Sequence, residues 1–341
     1  MVTRVLASGD IGFAESYMAG EWDTPDLSSL LTLGAMNADA LSHATAPSSL
    51  MRLVNRLYHA MRANTRKGSR RNIASHYDLG NDFYAQWLDK TMTYSSAIFT
   101  SPDEDIVAAQ RRKYRRLAEK LELSPGERVL EIGCGWGGFA EIAAAEYGCH
   151  VVGLTLSVEQ AAYARERMQR AGISDTVDIR IQDYRDVEGQ FDKIVSIEMF
   201  EAVGEKYWPG YLRILHDRLT PGGKAALQII TINDRNFENY RNNPDFIQRY
   251  IFPGGMLPGP KAFENAVRNT PFEVSDSFYF GKSYAETLRR WDRDFQRNWP
   301  RIAPLGFDER FYRMWRYYLC YCEAGFDTGG IDVAHFLLER P

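Results

Sequence analysis

Between Glu131 and Gly148 the chain reads EIGCGWGGFAEIAAAEYG, which places Gly133, Gly135, Gly137 and Gly138 directly behind the apolar run RVLEIG (128–133) and ahead of an alanine-rich helical pattern. A strand that passes through such bare backbone into a helix can bring peptide groups against a ligand with no Cβ in the way. The turn is expected to be a ligand seat. The dinucleotide fingerprint G-x-G-x-x-G has a variable residue at its fifth place, but Gly137 stands there, and Glu131 precedes the run. A plain tight turn between strand and helix is the less demanding reading. Cys134 reads as a small packing residue rather than a nucleophile.

Further β-rich runs follow at HVVGLTL (150–156), VDIRIQD (177–183), FDKIVSIEMF (191–200) and GKAALQIITI (223–232), with helix-period segments between most of them. This alternation predicts βαβ crossovers and an α/β domain with a mostly parallel sheet. Ser157 and Gln160 form an S-x-x-Q capping box for the helix after the second strand, and Gly172 stands where that helix should stop. After Ile232 the alternation ends. The aromatic, Pro/Gly-rich stretch NDRNFENYRNNPDFIQRYIFPGGMLPGP is longer than a connector needs, so a lid insertion is placed at about 233–270. Two aromatic helical patterns and a last strand, AHFLLER, close the chain. Residues 1 to about 70 are read as a small helical N-terminal module ending in a basic linker, with the main domain at 71–341.

Composition narrows the function. With 41 Lys+Arg against 45 Asp+Glu the net charge is -4, which argues against a nucleic-acid binder. The longest apolar runs fall short of the ~20 residues of a membrane span, and no signal-peptide h-region opens the chain, so a cytoplasmic protein with at most peripheral membrane contact is expected. Cys134, Cys149, Cys320 and Cys322 show no zinc-type spacing, and no metal is expected. Two basic clusters, RANTRKGSRR (Arg62, Arg66, Lys67, Arg70, Arg71) and RRKYRR (111–116), are candidates for an anionic membrane surface, with a solvated linker or helix face as the alternative. A homodimer is left open.

The pattern E-x-G-x-G-x-G resembles the first motif of class I S-adenosylmethionine (SAM) methyltransferases, whose turn wraps the methionine moiety and ribose. Their second strand usually ends in an acidic residue that grips the ribose, whereas this one ends in GLTLSVEQ and leaves Thr155 and Gln160. That departure, with HYDLGNDFYAQWLDKTMTYSSAIF (76–99), LEIGCGWGG (130–138), SIEMFEAVG (196–204) and YIFPGGMLP (250–258), resembles the cyclopropane-fatty-acyl-phospholipid synthase family, which includes the mycolic acid cyclopropane synthases. The similarity runs from about Gly9 to the C-terminus. It implies a Rossmann-like class I fold and methyl transfer from SAM to the cis double bond of an unsaturated phospholipid acyl chain, through a carbocation, to give a cyclopropane.

For the site, the resemblance implies a bicarbonate base held by a Y-S-C cysteine, an M-F-E-H-V-G glutamate, an L-H-T-I histidine, a later tyrosine and a second cysteine. Carried across, the glutamate is Glu201, the tyrosine Tyr284 and the later cysteine Cys322, while Ser96 and Gln228 replace the first cysteine and the histidine. Glutamine cannot offer an anion the positive charge of a histidine, so the bicarbonate seat is weakened. Glu198 stands where the bacterial synthases have glycine. Its carboxylate is expected to occupy the region of the missing anion and serve as a built-in base; capping the next helix or binding a backbone amide is the alternative. Delayed proton loss would divert the cation to a methylene- or methyl-branched product.

Expected cofactor contacts are Tyr94 and Ser95 at the methionine end, Gly133 and Gly135 beneath it, Thr155, Leu156 and Gln160 along the ribose, and Asp183 and Tyr184 beside the adenine. Aromatic faces can tolerate the cation while excluding water, with Tyr94, Phe99, Phe200, Tyr240, Tyr250, Phe252, Tyr279, Tyr284, Tyr317 and Tyr321 as candidates. A methyltransferase for a soluble small molecule and a non-catalytic lipid- or SAM-binding protein are the rival readings.

Overall fold

The computed structural model describes residues 1–38 and 79–341, with isolated positions at 40, 65 and 68. The basic residues of the RANTRKGSRR stretch and the first three residues of HYDLGNDFY lie outside the described residues.

Seven strands, β1 (Arg128–Ile132), β2 (His150–Thr155), β3 (Val177–Ile181), β4 (Phe191–Ile197), β5 (Leu219–Ile232), β6 (Glu273–Tyr279) and β7 (Ile331–Glu339), form one sheet in the order β3-β2-β1-β4-β5-β7-β6. The first five pair in parallel, and β7 is antiparallel to both β5 and β6. The central strands are buried on both faces, as an apolar run without alternation requires. Helices α1 (Val2–Met18), α2 (Leu27–Met36), α3 (Ile106–Leu121), α4 (Gly138–Tyr147), α5 (Val158–Arg170), α6 (Trp208–Arg218), α7 (Asp234–Asn242), α8 (Pro260–Arg268), α9 (Gly281–Ile302) and α10 (Glu309–Asp327) complete the fold. One apolar cluster joins α3, α4 and α5 to one face of the sheet through Val129, Val151 and Val195. Another joins α6 and α8 to the opposite face through Leu130, Leu154 and Ile194.

A third core belongs to neither face. Tyr17, Leu27 and Leu31 of α1 and α2 pack with Trp291 and Phe295 of α9 and Trp315 and Tyr318 of α10. The described N-terminal helices thus share their core with the C-terminal ones. The stretch read as a lid is largely helical, comprising α7, a π-helical turn at Ile247–Ile251 and α8, and its Phe246 and Ile251 sit in this third core. Strand β6 was absent from the sequence reading. It is an edge strand with an exposed burial pattern, so no alternation marks it, and pairing with β7 alone defines it.

The four glycines divide into two pairs. Gly133 (φ 84°) and Gly135 (φ 52°) turn the chain at the end of β1, and a Cβ on Gly135 would project into open space. A Cβ on Gly137 would lie 2.9 Å from Met168 Cε of α5, and one on Gly138 would lie 2.6 Å from the Tyr114 hydroxyl of α3. The second pair therefore also serves close helix packing, while Gly138 in addition lines the cavity at the strand ends. Gly138→Ala is expected to lose about 1–3 kcal/mol from overpacking, even though alanine is the better helix former. Urea unfolding of Gly138→Ala in wild-type and Tyr114→Ala backgrounds checks this, because the ring carbons Cε2 and Cζ would also lie 2.9 and 3.0 Å from the added Cβ. The cost should shrink when the ring is gone, and an equal cost in both would assign it elsewhere.

Candidate active site

A cavity opens at the C-terminal ends of β1, β2 and β4, where open α/β sheets bind ligands. Tyr94, Ser95, Gly133, Gly135, Thr155, Leu156, Gln160, Asp183 and Tyr184 all line it, together with Glu198. Buried polar groups staple the Tyr94–Ser96 loop in place. Lys113 Nζ donates to Ser95 Oγ at 2.6 Å, Gln110 Nε2 to the Ser95 carbonyl at 2.9 Å, and the hydroxyls of Tyr94 and Tyr318 lie 2.8 Å apart.

At the end of β2 the expected capping box is only half formed. The Gln160 amide N–H donates to Ser157 Oγ, but the Gln160 side chain accepts from the Thr155 hydroxyl at 2.9 Å, and Thr155 Oγ1 accepts from the Ser157 N–H. The polar pair that replaces the usual acidic residue is thus built as one unit. Asp183 is paired with the Arg185 guanidinium at 2.8 and 2.7 Å. Arg185 also lines the cavity, as do Trp136 and Gln182, which the sequence reading missed. Trp136 carries a legible signal, since its indole N–H donates to Asn81 Oδ1 at 2.7 Å, joining the glycine turn to the NDFY stretch.

The cavity suits a cationic, nucleoside-sized ligand. Gly135 leaves its floor open, and buried Glu131 Oε2 has no protein hydrogen-bond partner. Burial raises the Glu131 carboxyl to about 8, so a nearby cation would stabilise its ionised form.

Glu198 follows β4 with φ 49°, a left-handed conformation unusual outside glycine. Its Oε1 accepts from the Ser96 backbone N–H at 2.9 Å and from Gln228 Nε2 at 2.6 Å, and its Oε2 from the Tyr284 hydroxyl at 2.6 Å. Four residues singled out in the sequence are therefore in direct contact. Burial pushes the Glu198 carboxyl above its ordinary range, opposed by the Tyr284, Ser96 and Gln228 hydrogen bonds and by Lys113. The Tyr284 phenol is raised well above its usual value, first by burial and then by the Glu198 charge, and so remains a donor. Glu198 binds a backbone amide but does not cap the following turn, whose N-cap, Met199, has no side-chain cap.

Glu201 and Cys322 stand apart from this contact. Glu201 accepts from the Ile230 backbone N–H, its other oxygen is buried without a partner, and burial followed by the Glu198 charge raises it to about 8. Burial keeps Cys322 a thiol, so it offers no thiolate. Among the aromatic candidates, Tyr94 lines the cavity and Tyr284 touches Glu198, whereas Phe200 packs on Trp208 and Phe263, Tyr317 on Tyr17 and Phe246, and Tyr279 is 41% exposed on β6.

Within RRKYRR, Lys113 is fully buried and Arg116 reaches His335 and Asp276, whereas Arg111 and Arg115 are exposed; Arg112 pairs with Glu104 and Arg115 with Glu146. Among the described residues no helix is long and apolar enough to cross a membrane, and no group of three or more His, Cys, Asp or Glu residues could hold a metal ion.

The raised Glu201 carboxyl makes stability depend on pH. Folded Glu201 keeps its proton up to about 8 while the unfolded chain releases it near 4.5, so this group favours the folded state below 4.5 and loses that contribution as pH rises towards 8. Against Glu201→Gln, which has no proton to lose, the wild type should weaken progressively over that window by about 1.4 kcal/mol per pH unit at most. Parallel thermal melts across the window check this, and a constant difference would mean that Glu201 titrates normally.

The mycolic acid cyclopropane synthetase family model matches residues 64–336. The chain is 44% identical to tuberculostearic acid methyltransferase UfaA1 of Mycobacterium tuberculosis, over 100% of this chain and 81% of that one. It is 37% identical to cyclopropane-fatty-acyl-phospholipid synthase of Escherichia coli (strain K12), over 99% and 85%. The crystal structure of mycolic acid cyclopropane synthase CmaA1 in complex with SAH and CTAB superposes with a TM-score of 0.74 at 30% identity, covering 79% of this chain and 98% of the other. With a glycine turn and a cavity at the strand ends of a seven-stranded, mostly parallel sheet, the chain belongs to the mycolic acid cyclopropane synthetase family and is a SAM-dependent methyltransferase.

Proposed function

We propose that the protein methylates the cis double bond of an unsaturated phospholipid acyl chain, with the Glu198 carboxylate as the base that removes a proton from the new methyl group. The observation that carries this reading is the Glu198 seat. The Ser96 N–H, the Gln228 amide and the Tyr284 hydroxyl, which the family resemblance would assign to a bound anion, are all donating to the side chain of this chain's own glutamate. A bicarbonate there would compete for donors already in use, so no step is assigned to it.

The glycine turn and the Thr155–Gln160 pair would hold SAM, which would supply a sulfonium methyl, an electrophile strong enough for an alkene. Tyr94 and Tyr284, backed by Trp291, Tyr318 and Phe326, offer aromatic surface that excludes water from the cation left on the methylated chain. Glu198 then accepts one proton at a carboxylate oxygen. If that proton leaves at once, the C–H electron pair closes a cyclopropane. If a hydride first moves from the methyl-bearing carbon to the neighbouring cationic carbon, the same proton loss gives a methylene branch.

Three donors fix the direction of this carboxylate while burial leaves it more basic than an exposed glutamate, so its aim, rather than its strength, sets whether a hydride shift precedes proton loss and gives the methylene-branched product. The relative at 44% identity carries the name tuberculostearic acid methyltransferase. Ring formation is the second reading, favoured by the match to the E. coli synthase over 99% of the chain.

Glu198→Gln is expected to lower turnover about 10²–10⁴-fold, as loss of a general base does, and unaltered turnover would remove Glu198 from the chemistry. Glu198→Gly relieves the left-handed backbone and vacates the donors, so added bicarbonate should restore part of its activity. Mass spectrometry with an acyl chain deuterated at both alkene carbons separates the products. Two deuterium atoms on the carbon next to the methylene branch support the hydride shift, and a ring with both labels in place supports direct closure.

A further inference from the structure

Gln228 is held from behind as well as presented in front. Its Oε1 lies 2.9 Å from His335 Nε2, and His335 Nδ1 lies 3.1 Å from Arg116 Nη1. Gln228 on β5 and His335 on β7 face each other in the antiparallel ladder, and both are buried. Arg116 reaches in from α3, with its guanidinium 4.0 Å above the Phe278 ring and 3.6 Å from Asp276 on β6. Phe280 packs edge-on against the imidazole at 4.8 Å.

The donors set the direction of this chain. A guanidinium has no acceptor, so His335 Nδ1 must accept. The single proton of the neutral imidazole is then on Nε2, which donates to Gln228 Oε1. That leaves the Gln228 amide one orientation, with its NH2 towards Glu198 Oε1 at 2.6 Å. Burial, and after it Arg116 and Lys113 of α3, which face the imidazole, keep it neutral, well below its usual range; burial also lowers the Lys113 ammonium, to about 7. Asp276 pairs with Arg116 at the outer end. At the inner end Glu198 is faced by Lys113 of α3, Tyr284 of α9 and Glu201 of the turn after β4.

We propose that His335 is a positioning residue, which with Arg116 locks the Gln228 amide in the orientation that donates to Glu198 and so keeps that carboxylate aimed at the reacting methyl. This rests on the reading of Glu198 as the base. Without the imidazole, Gln228 Oε1 would be buried without a donor, and a flipped amide would set its oxygen against the carboxylate. Glu198 would then hold its proton to higher pH. A base must be unprotonated to act, so the acidic limb of the kcat profile moves upwards.

The full-length enzyme, with SAM and unsaturated phospholipid vesicles, tests this through pH profiles of His335→Leu, His335→Gln and Arg116→Met. His335→Leu should shift the acidic limb up by about one pH unit, a tenfold loss of kcat below the limb, with KM for SAM unchanged. His335→Gln, whose amide nitrogen falls near the Nε2 position, should restore most of the profile. Arg116→Met should shift the limb in the same direction and serves if His335→Leu does not fold. An unmoved limb, or a pH-independent loss that His335→Gln does not rescue, would overturn the proposal. Glu198→Gln measured alongside separates the two ideas, because wild-type turnover there removes the base, whereas its loss together with an unmoved limb in the His335 and Arg116 variants removes only the positioning role. Long-range 1H–15N spectra of His335 supply a readout without turnover. A neutral Nε2–H tautomer across the neutral range supports the chain, and an imidazolium or an Nδ1–H tautomer overturns it.

Discussion

A carboxylate can be ionised inside a protein only where donors replace its water, and Glu198 draws those donors from three distant segments. Ser96 lies on the loop before α3, Gln228 on β5 and Tyr284 on α9, so the carboxylate joins the sheet to the third, largely aromatic core. Moving any of these segments would leave a buried charge short of a partner. The left-handed backbone at Glu198 is tolerated on the same terms, since the surrounding contacts over-determine it.

Around that point the molecule separates two kinds of buried acid. Burial raises all three carboxyls; at Glu198 three donors and Lys113 oppose the rise, whereas Glu131 and Glu201 each keep a buried oxygen without a protein partner and reach about 8. Of the three, Glu131 and Glu198 line the cavity. In the proposed reaction a cationic methyl donor would add a positive charge beside Glu131 and Glu198, and the aromatic wall would face the charge that moves to the substrate.

The third core explains how so long an aromatic tail serves the site. Helices α9 and α10 carry Tyr284 and Tyr318 to the cavity side, while α1 and α2 cover their outer faces through Tyr17, Leu27 and Leu31. The segment after β5 closes over the same region, where the Met256 N–H donates to the Glu201 carbonyl and Phe252 packs against Tyr318. These contacts connect the substrate side of the site to segments with no part in the nucleoside-binding sheet.

Much of the fold was legible because its signals are local. Apolar runs separated by helical periods mark β1 to β5, Gly133 and Gly135 mark the turn under the cavity, and Ser96, Glu198 and Gln228 each stand out within a short segment of their own. Other features depend on partners far away in the chain. The exposed edge strand β6 exists only through β7, Gly137 and Gly138 are small because α5 and α3 approach them, and the basic run RRKYRR reads as a surface until Lys113 is buried and Arg116 meets His335. By itself the sequence determined a mostly parallel sheet, a glycine turn at the end of its first strand and a glutamate at position 198. Only the tertiary structure decided that this glutamate accepts from Ser96, Gln228 and Tyr284 and that His335 stands behind Gln228, because hydrogen-bond partners 30 to 107 residues apart are chosen by packing and leave no local pattern.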